Sequence, residues 1–134
     1  MMATWADLKS YINSHYKVAV DAGANLVLEF ELGGGRSQAV FIGHDTLSLG
    51  LGTEESWVIV ESPIGEVDTV DIRKALAEVQ QIVCGGLGLS GKYLTVRDGF
   101  PLANLDANEF ERPLRLITVT ADAIEKALSG RDEF

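Results

Sequence analysis

The spacing of hydrophobic residues near the start of the chain predicts a short amphipathic helix. Trp5, Leu8 and Ile12 recur at helical spacing. Thr4 is followed three residues later by Asp7, which is the spacing of a relaxed capping box. We therefore expect helix 1 to begin just after Thr4 and to turn one apolar side inward.

Beyond this helix the hydrophobic pattern changes to a period of two. Leu26, Leu28 and Phe30 alternate with Val27 and Glu29, and three consecutive glycines close the stretch. Similar patterns predict strands over residues 25–32, 36–42, 47–51 and 57–61. Because the connections are short and rich in turn residues, we expect these four strands to be antiparallel.

The middle of the chain predicts a second helix and then a fifth strand. Asp68 and Thr69 are expected to cap helix 2, and Gly85 and Gly86 to end it. Its apolar stripe is formed by Ile72, Ala75, Leu76, Val79, Ile82 and Val83. Residues 93–97 predict the fifth strand.

The last predicted helix is the most regular element. Asp106 and Glu109 have capping-box spacing, and the helix is expected to run to about residue 129. Pro113 either kinks it or marks the start of its continuous part. One stripe, expected to meet the core, consists of Phe110, Leu114, Ile117, Ala121, Ile124 and Leu128. A second, weaker stripe through Leu116, Val119, Ala123 and Ala127 predicts burial on two sides, for which a partner surface is one explanation.

The resulting fold class is α+β, with about five antiparallel strands and three helices in the order α-β-β-β-β-α-β-α. A chain of 134 residues is long enough to bury a sizeable core, and we expect residues 1–134 to form a single domain. No apolar run approaches the roughly 20 residues of a membrane span. The formal net charge of −9 and the scattered basic residues argue against nucleic acid as a partner.

The sequence also favours a cytoplasmic location. The N-terminal residues lack the basic and apolar regions of a secretory signal. Cys84 is the single cysteine, so it cannot form an internal disulfide, which agrees with a reducing compartment.

Candidate catalytic and cofactor-binding patterns are weak. Residues 86–91 match the letters of a glycine-rich dinucleotide motif, but they leave a helix and enter a strand, so we expect a helix cap followed by a flexible loop. Two histidines and one cysteine are too few for a standard zinc site. His44 beside Asp45 and Cys84 are the remaining catalytic candidates, and both are expected to be structural. We therefore predict no catalytic residues, no cofactor and no metal.

The order of elements resembles the type III secretion chaperone-like fold. Residues 47–65, Leu-Ser-Leu-Gly-Leu-Gly-Thr-Glu-Glu-Ser-Trp-Val-Ile-Val-Glu-Ser-Pro-Ile-Gly, are similar to the sheet region of YbjN-type bacterial domains of that fold. Residues 100–106, Phe-Pro-Leu-Ala-Asn-Leu-Asp, and the following helix with Ala121, Asp122 and Glu125 are similar to their C-terminal segment.

This resemblance implies a non-enzymatic protein-binding module, chaperone-like or regulatory, that is commonly a homodimer. Relatives that serve secretion hold a partner polypeptide in extended form against helix 1 and the sheet, which suits strand addition. The implied partner-binding residues are Trp5, Leu8, Tyr11 and Ile12. The implied dimer interface contains Val79, Ile82, Val83 and Tyr93.

Other interpretations stay open at this point. The helix 1 stripe is most simply explained by packing on the chain's own sheet. The chain would then be a self-associating structural or regulatory domain without a client. A third possibility is a small enzyme that uses Cys84 or His44.

Overall fold

The computed structural model describes residues 2–82 and 85–129. It confirms an α+β fold with three helices and a six-stranded antiparallel sheet. The helices are α1 (Trp5–His15), α2 (Ile72–Val79) and α3 (Ala107–Ser129). The strands are β1 (Val18–Asp21), β2 (Asn25–Gly33), β3 (Arg36–Gly50), β4 (Thr53–Glu66), β5 (Gly86–Ser90) and β6 (Tyr93–Pro101).

The strands lie in the order β1-β2-β3-β4-β6-β5, and every pair is antiparallel, as the short connections predicted. Residues paired across neighbouring strands point to the same face of the sheet. One face therefore presents Leu28 beside Val40 and Ile42 beside Val60. We call this side, which the helices cover, the inner face, and the opposite side the outer face.

The hydrophobic core lies between the inner face and the three helices. Leu8 and Ile12 from α1, Ala75 from α2 and Phe110 from α3 are all completely buried against it. The predicted stripe of α3 is confirmed, because Leu114, Ile117, Ala121 and Ile124 are also buried. The helices α1 and α3 thus bury the side that their apolar spacing indicated. The prediction is wrong for α2, because Ile72 and Leu76 of its predicted stripe are 39% and 55% exposed.

Two of the predicted caps are formed. The Thr4 hydroxyl accepts a hydrogen bond from the backbone N–H of Asp7 at the start of α1, at 3.2 Å. The Glu109 carboxylate accepts one from the backbone N–H of Asp106 before α3, at 3.0 Å. These local bonds explain why both helices begin where the sequence indicates.

The boundaries of α2 differ from the prediction. Its cap is Asp71, whose carboxylate accepts from the backbone N–H of Lys74, rather than Asp68 and Thr69. The Thr69 hydroxyl instead donates to the carbonyl of Glu66 in the preceding turn. The helix ends at Val79, so the predicted stripe is cut short. Val83 and Cys84 lie outside the described residues.

The strands are more numerous and longer than predicted. The hydrophobic pattern did not predict β1, a four-residue strand. It also predicted two separate strands where β3 is continuous through residues 43–46, which resemble a turn. In the structure those residues are extended, because they pair with residues 56–59 of β4. The predicted flexible loop at residues 86–91 is wrong, since its first five residues form β5 paired with β6. Pairing with a neighbouring strand determines that these segments are extended, and the local sequence does not contain that information.

A polar contact joins the end of α3 to the beginning of β3. Arg36 donates through Nη2 to Asp122 Oδ2 at 3.0 Å, and Lys126 lies 3.7 Å from the same oxygen. Asp122 is only 7% exposed. Such a charge requires a partner when it is removed from water, and the arginine supplies it.

Candidate partner-binding surface

The structure places the predicted partner-binding residues of α1 in two environments. Leu8 and Ile12 have no exposed surface, because they pack in the core of their own chain. Trp5 is half-buried, donates from its indole Nε1 to the carbonyl of Gly23 at 2.8 Å, and stacks on His44. In this arrangement a partner can reach Trp5 but not the two aliphatic side chains.

Tyr11, the fourth of these residues, belongs to a cluster that fixes α1 to α3. Its hydroxyl donates to Glu111 Oε1 at 2.7 Å, and the hydroxyl of Tyr16 donates to the other oxygen of the same carboxylate. The hydrogen bond to Glu111 raises the pKa of Tyr11, and burial together with the same carboxylate raises the pKa of Tyr16. The cluster therefore has a clear structural role.

The predicted dimer residues do not share one surface. Val79 and Ile82 are half-buried and pack against the core from the helix side of the sheet. Tyr93 begins β6 and points to the outer face, since it alternates with the inward-facing Leu94. The structure thus separates Tyr93 from the other two.

The catalytic candidates also fail to assemble into a pair. His44 lies in β3 and stacks on Trp5, and Asp45 points to the opposite face of the sheet, as the next residue of a strand must. The Asp45 carboxylate accepts a hydrogen bond from the backbone N–H of Thr46. Within residues 2–82 and 85–129, no group of three or more His, Cys, Asp or Glu side chains is placed to hold a metal ion.

The outer face carries apolar side chains at its centre. From the strand register, its apolar members are Val20, Val27, Ala39, Phe41, Leu47, Leu49, Trp57 and Ile59. All of them are half-buried or exposed, in contrast to the fully buried residues of the inner face. Sequence reasoning missed this surface, although a signal was present. Residues 39–42 and 57–60 are uninterrupted apolar runs, which place hydrophobic side chains on both faces of a strand.

The outer face continues onto a two-stranded ribbon, residues 47–55, formed by the ends of β3 and β4. β2 pairs with β3 only as far as Gly43, and β6 pairs with β4 only from Trp57 onward. Among the described residues, the ribbon strands are therefore paired only with each other. Leu47 and Leu49 point to the outer face, 40% and 53% exposed.

The tip of the ribbon places a leucine where turns usually carry a polar residue or glycine. Leu51 lies between Gly50 and Gly52, has a φ of 52° and is fully exposed. This left-handed conformation is unfavourable for a side chain such as leucine. Neither packing nor backbone preference within the described chain explains the residue, which is consistent with a role in an external contact.

A shallow trough of about 640 Å³ lies where the ribbon joins the sheet. Trp57, Ile59 and Leu47 form its apolar wall, and Arg97 lies on the other side. Gly99 forms part of the floor, and a Cβ atom there would lie 3.9 Å from the indole ring of Trp57. Glycine at this position therefore leaves the face of the tryptophan open.

The outer side of α3 is a second apolar surface. Leu116 and Val119 are 51% and 61% exposed, and Ala123 is exposed as well. The predicted burial of α3 on two sides is therefore wrong for the described chain. Along this helix Arg115 lies close to Glu111 and Lys126 lies close to Asp122, each pair four residues apart.

Comparisons with known proteins returned no matching family model and no matching curated protein. None of the described helices is long and apolar enough to cross a lipid bilayer.

Proposed function

We propose that the chain is a non-enzymatic, chaperone-like or regulatory module that holds a segment of a partner polypeptide. The observation that carries this proposal is the uncovered apolar centre of the outer face, continuous with the leucines of the ribbon. Contiguous apolar surface of this kind is costly to leave in water and commonly marks a site of protein interaction.

The backbone of the ribbon supports the same proposal. Its two strands have free outer edges, and a two-stranded ribbon is only marginally stable in water by itself. A partner segment added to one edge would satisfy backbone donors and acceptors while its side chains meet Leu47, Leu49 or the trough. The partner contact is thus assigned to the outer face, whereas Leu8 and Ile12 act within the core.

The relation to YbjN-type domains and to type III secretion chaperones also stands as part of this proposal. The observed order of one helix, four strands, a second helix, further strands and a final helix is compatible with it. We place the interaction in the cytoplasm, because a single cysteine agrees with a reducing compartment.

A pull-down from the native cells tests the proposal with matched variants. The ribbon variant, Leu47→Ser with Leu49→Ser, removes two exposed apolar side chains from the ribbon. The α3 variant, Leu116→Ser with Val119→Ser, removes two from the exposed side of α3. We expect the wild-type and α3 variants to retain one partner in constant stoichiometry and the ribbon variant to lose it, with all three showing the same circular dichroism spectrum. Equal retention by the ribbon variant would refute the assignment.

Self-association is a second candidate, favoured by the edge strand β5. Its residues Gly-Leu-Gly-Leu-Ser carry no charge, and Leu89 is 64% exposed. Only β6 pairs with it among the described residues, so its outer edge lacks the charges and prolines that protect such edges. Sedimentation should show a dimer that Leu89→Lys converts to monomer. A wild-type monomer at all accessible concentrations would refute this candidate.

A further inference from the structure

Acidic side chains surround the apolar centre of the outer face. By the strand register, the carboxylates that point to this face are Glu29, Glu31, Asp45, Glu55, Glu61 and Glu66. The basic side chains on or beside this face are Arg97, Lys92, which lies over the Tyr93 ring, and Lys17 and Arg36, which line one depression together with Glu29 and Glu31. Acidic side chains thus outnumber basic ones on this face, consistent with the net charge of −9 of the whole chain.

Most of these carboxylates form no ion pair with another described residue. Among the described residues, Glu66 is paired with Lys92 at 3.0 Å, and the other five carboxylates form no ion pair, although Arg97 lies opposite Glu61 in the strand register. Glu61 accepts a hydrogen bond from the Thr95 hydroxyl at 2.9 Å, and Glu55 accepts one from the Trp57 indole at 2.8 Å. Such bonds hold the groups in place and leave their charges available to a ligand.

Two depressions of the outer face combine apolar walls with an acid. Asp45 borders the trough beside Trp57 and Leu47. A smaller depression of about 250 Å³ is lined by Phe41 and Tyr93, with Glu29 beside them. Lysine and arginine suit such places, because the aliphatic stem packs on apolar surface while the charged end reaches a carboxylate. The aromatic rings add a favourable cation–π contribution.

A second copy of this chain is a poor occupant of the same face. Two identical faces would bring unneutralised carboxylates together, and each copy carries a net charge of −9. Like charges placed opposite each other disfavour association. Charge complementarity therefore indicates a different, basic polypeptide.

We propose that the outer face binds an extended segment that combines apolar side chains with lysine or arginine and contains few acidic residues. This inference rests on the function proposed above and adds the chemistry of the partner. Apolar side chains of the segment occupy the trough beside Trp57, and basic ones extend to Asp45 and Glu29.

Two synthetic peptides test this chemistry on the purified full chain. They share the same apolar residues and length, and carry lysine in one peptide and glutamate in the other at every polar position. Titration calorimetry should give an affinity at least about tenfold higher for the lysine peptide at low salt, and salt of about 0.5 M should remove most of the difference. Equal affinities at low salt would overturn the inference.

Two double variants, each of which removes two negative charges, test whether the preference for the lysine peptide arises at the outer face. Glu29→Gln with Asp45→Asn removes the acids of both depressions, and Glu78→Gln with Asp68→Asn removes two acids that lie away from the outer face and the ribbon. We expect the first pair of substitutions to lower the affinity for the lysine peptide about five- to tenfold, as is typical of partly exposed charges. The second pair should change this affinity less than about twofold. Equal weakening by both pairs would overturn the assignment to the outer face.

The two proposals fail in different ways. If neither peptide binds while the pull-down partner is still lost on changing Leu47 and Leu49, the basic chemistry is wrong and the protein-binding function stands. If the ribbon variant keeps its partner, the proposed function itself is wrong. If sedimentation shows a dimer that this ribbon variant abolishes, the occupant is a second copy and the inference is overturned.

Discussion

Leu8 illustrates what a fully buried side chain contributes to this fold. Its replacement by alanine removes apolar contacts and leaves a cavity between α1 and the sheet. We expect Leu8→Ala to lower the free energy of unfolding by about 2–5 kcal/mol in urea denaturation. Leu49→Ala, at an exposed site, should change it by less than about 0.5 kcal/mol. Similar stability of both variants would show that α1 is not packed as described.

The residues of α1 also show which property of a side chain the sequence alone does not predict. The spacing of Trp5, Leu8 and Ile12 correctly indicated an apolar stripe on a helix. A stripe can be covered by the same chain or by a partner, and both produce the same pattern. Only the position of the sheet decides between them, and no local feature of the helix determines that position.

Tyr16 predicts a dependence of stability on alkaline pH. Burial and Glu111 raise its pKa in the folded chain, so the protonated phenol stabilises the fold. This contribution is complete below the pKa of about 10 of an unfolded tyrosine and is lost as pH rises through the folded value. Between pH 9 and pH 12, we expect the melting temperature of Tyr16→Phe to decrease less than that of the wild type.

Tyr93→Phe is the matched control for this measurement, because Tyr93 lies on the outer face, away from Glu111. At neutral pH, Tyr16→Phe should be less stable by about 1 kcal/mol, since one hydrogen bond is lost. An unchanged alkaline decrease in Tyr16→Phe would contradict the role assigned to this phenol.

Among the elements, α3 contains a defect that can be repaired. Pro113 lies inside the helix and cannot donate a hydrogen bond to the carbonyl of Glu109. Pro113→Ala restores that donor, and we expect the free energy of unfolding to rise by about 1–2 kcal/mol after the entropy lost with proline is subtracted. Pro101→Ala, outside any helix, measures the entropy effect alone. A lower stability of Pro113→Ala would show that α3 needs the proline to fit the sheet.

The strands show which elements a single sequence can specify. The alternation in β2 was strong enough to predict, since Leu26 and Leu28 face the core and Glu29 and Glu31 face outward. The extension of β4 beyond residues 57–61 was not, because Ser62 and Pro63 disfavour a strand by composition. Pairing with β6 overrides that preference, and such long-range pairing is invisible in a local pattern.

The net charge of the whole molecule predicts a response to salt. The carboxylates of the outer face repel one another, and added ions screen that repulsion. We expect the melting temperature to rise by a few degrees between low salt and about 0.5 M sodium chloride. Glu29→Lys combined with Glu31→Lys should show a smaller rise. An equal rise in this variant would mean that the outer face does not cause the effect.

The free edges of the ribbon give β3 two different local stabilities. Its first half is bonded on both sides in the centre of the sheet, whereas residues 47–50 are bonded on one side only. Amide hydrogens in the first half should exchange with solvent only on global unfolding, and those in the ribbon through local opening. A bound segment would slow exchange in the ribbon alone. The single strand β3 thus connects the most protected part of the sheet to the ribbon, which a bound partner segment can order. The fraction of time that the ribbon spends closed sets an upper limit on the affinity for that segment.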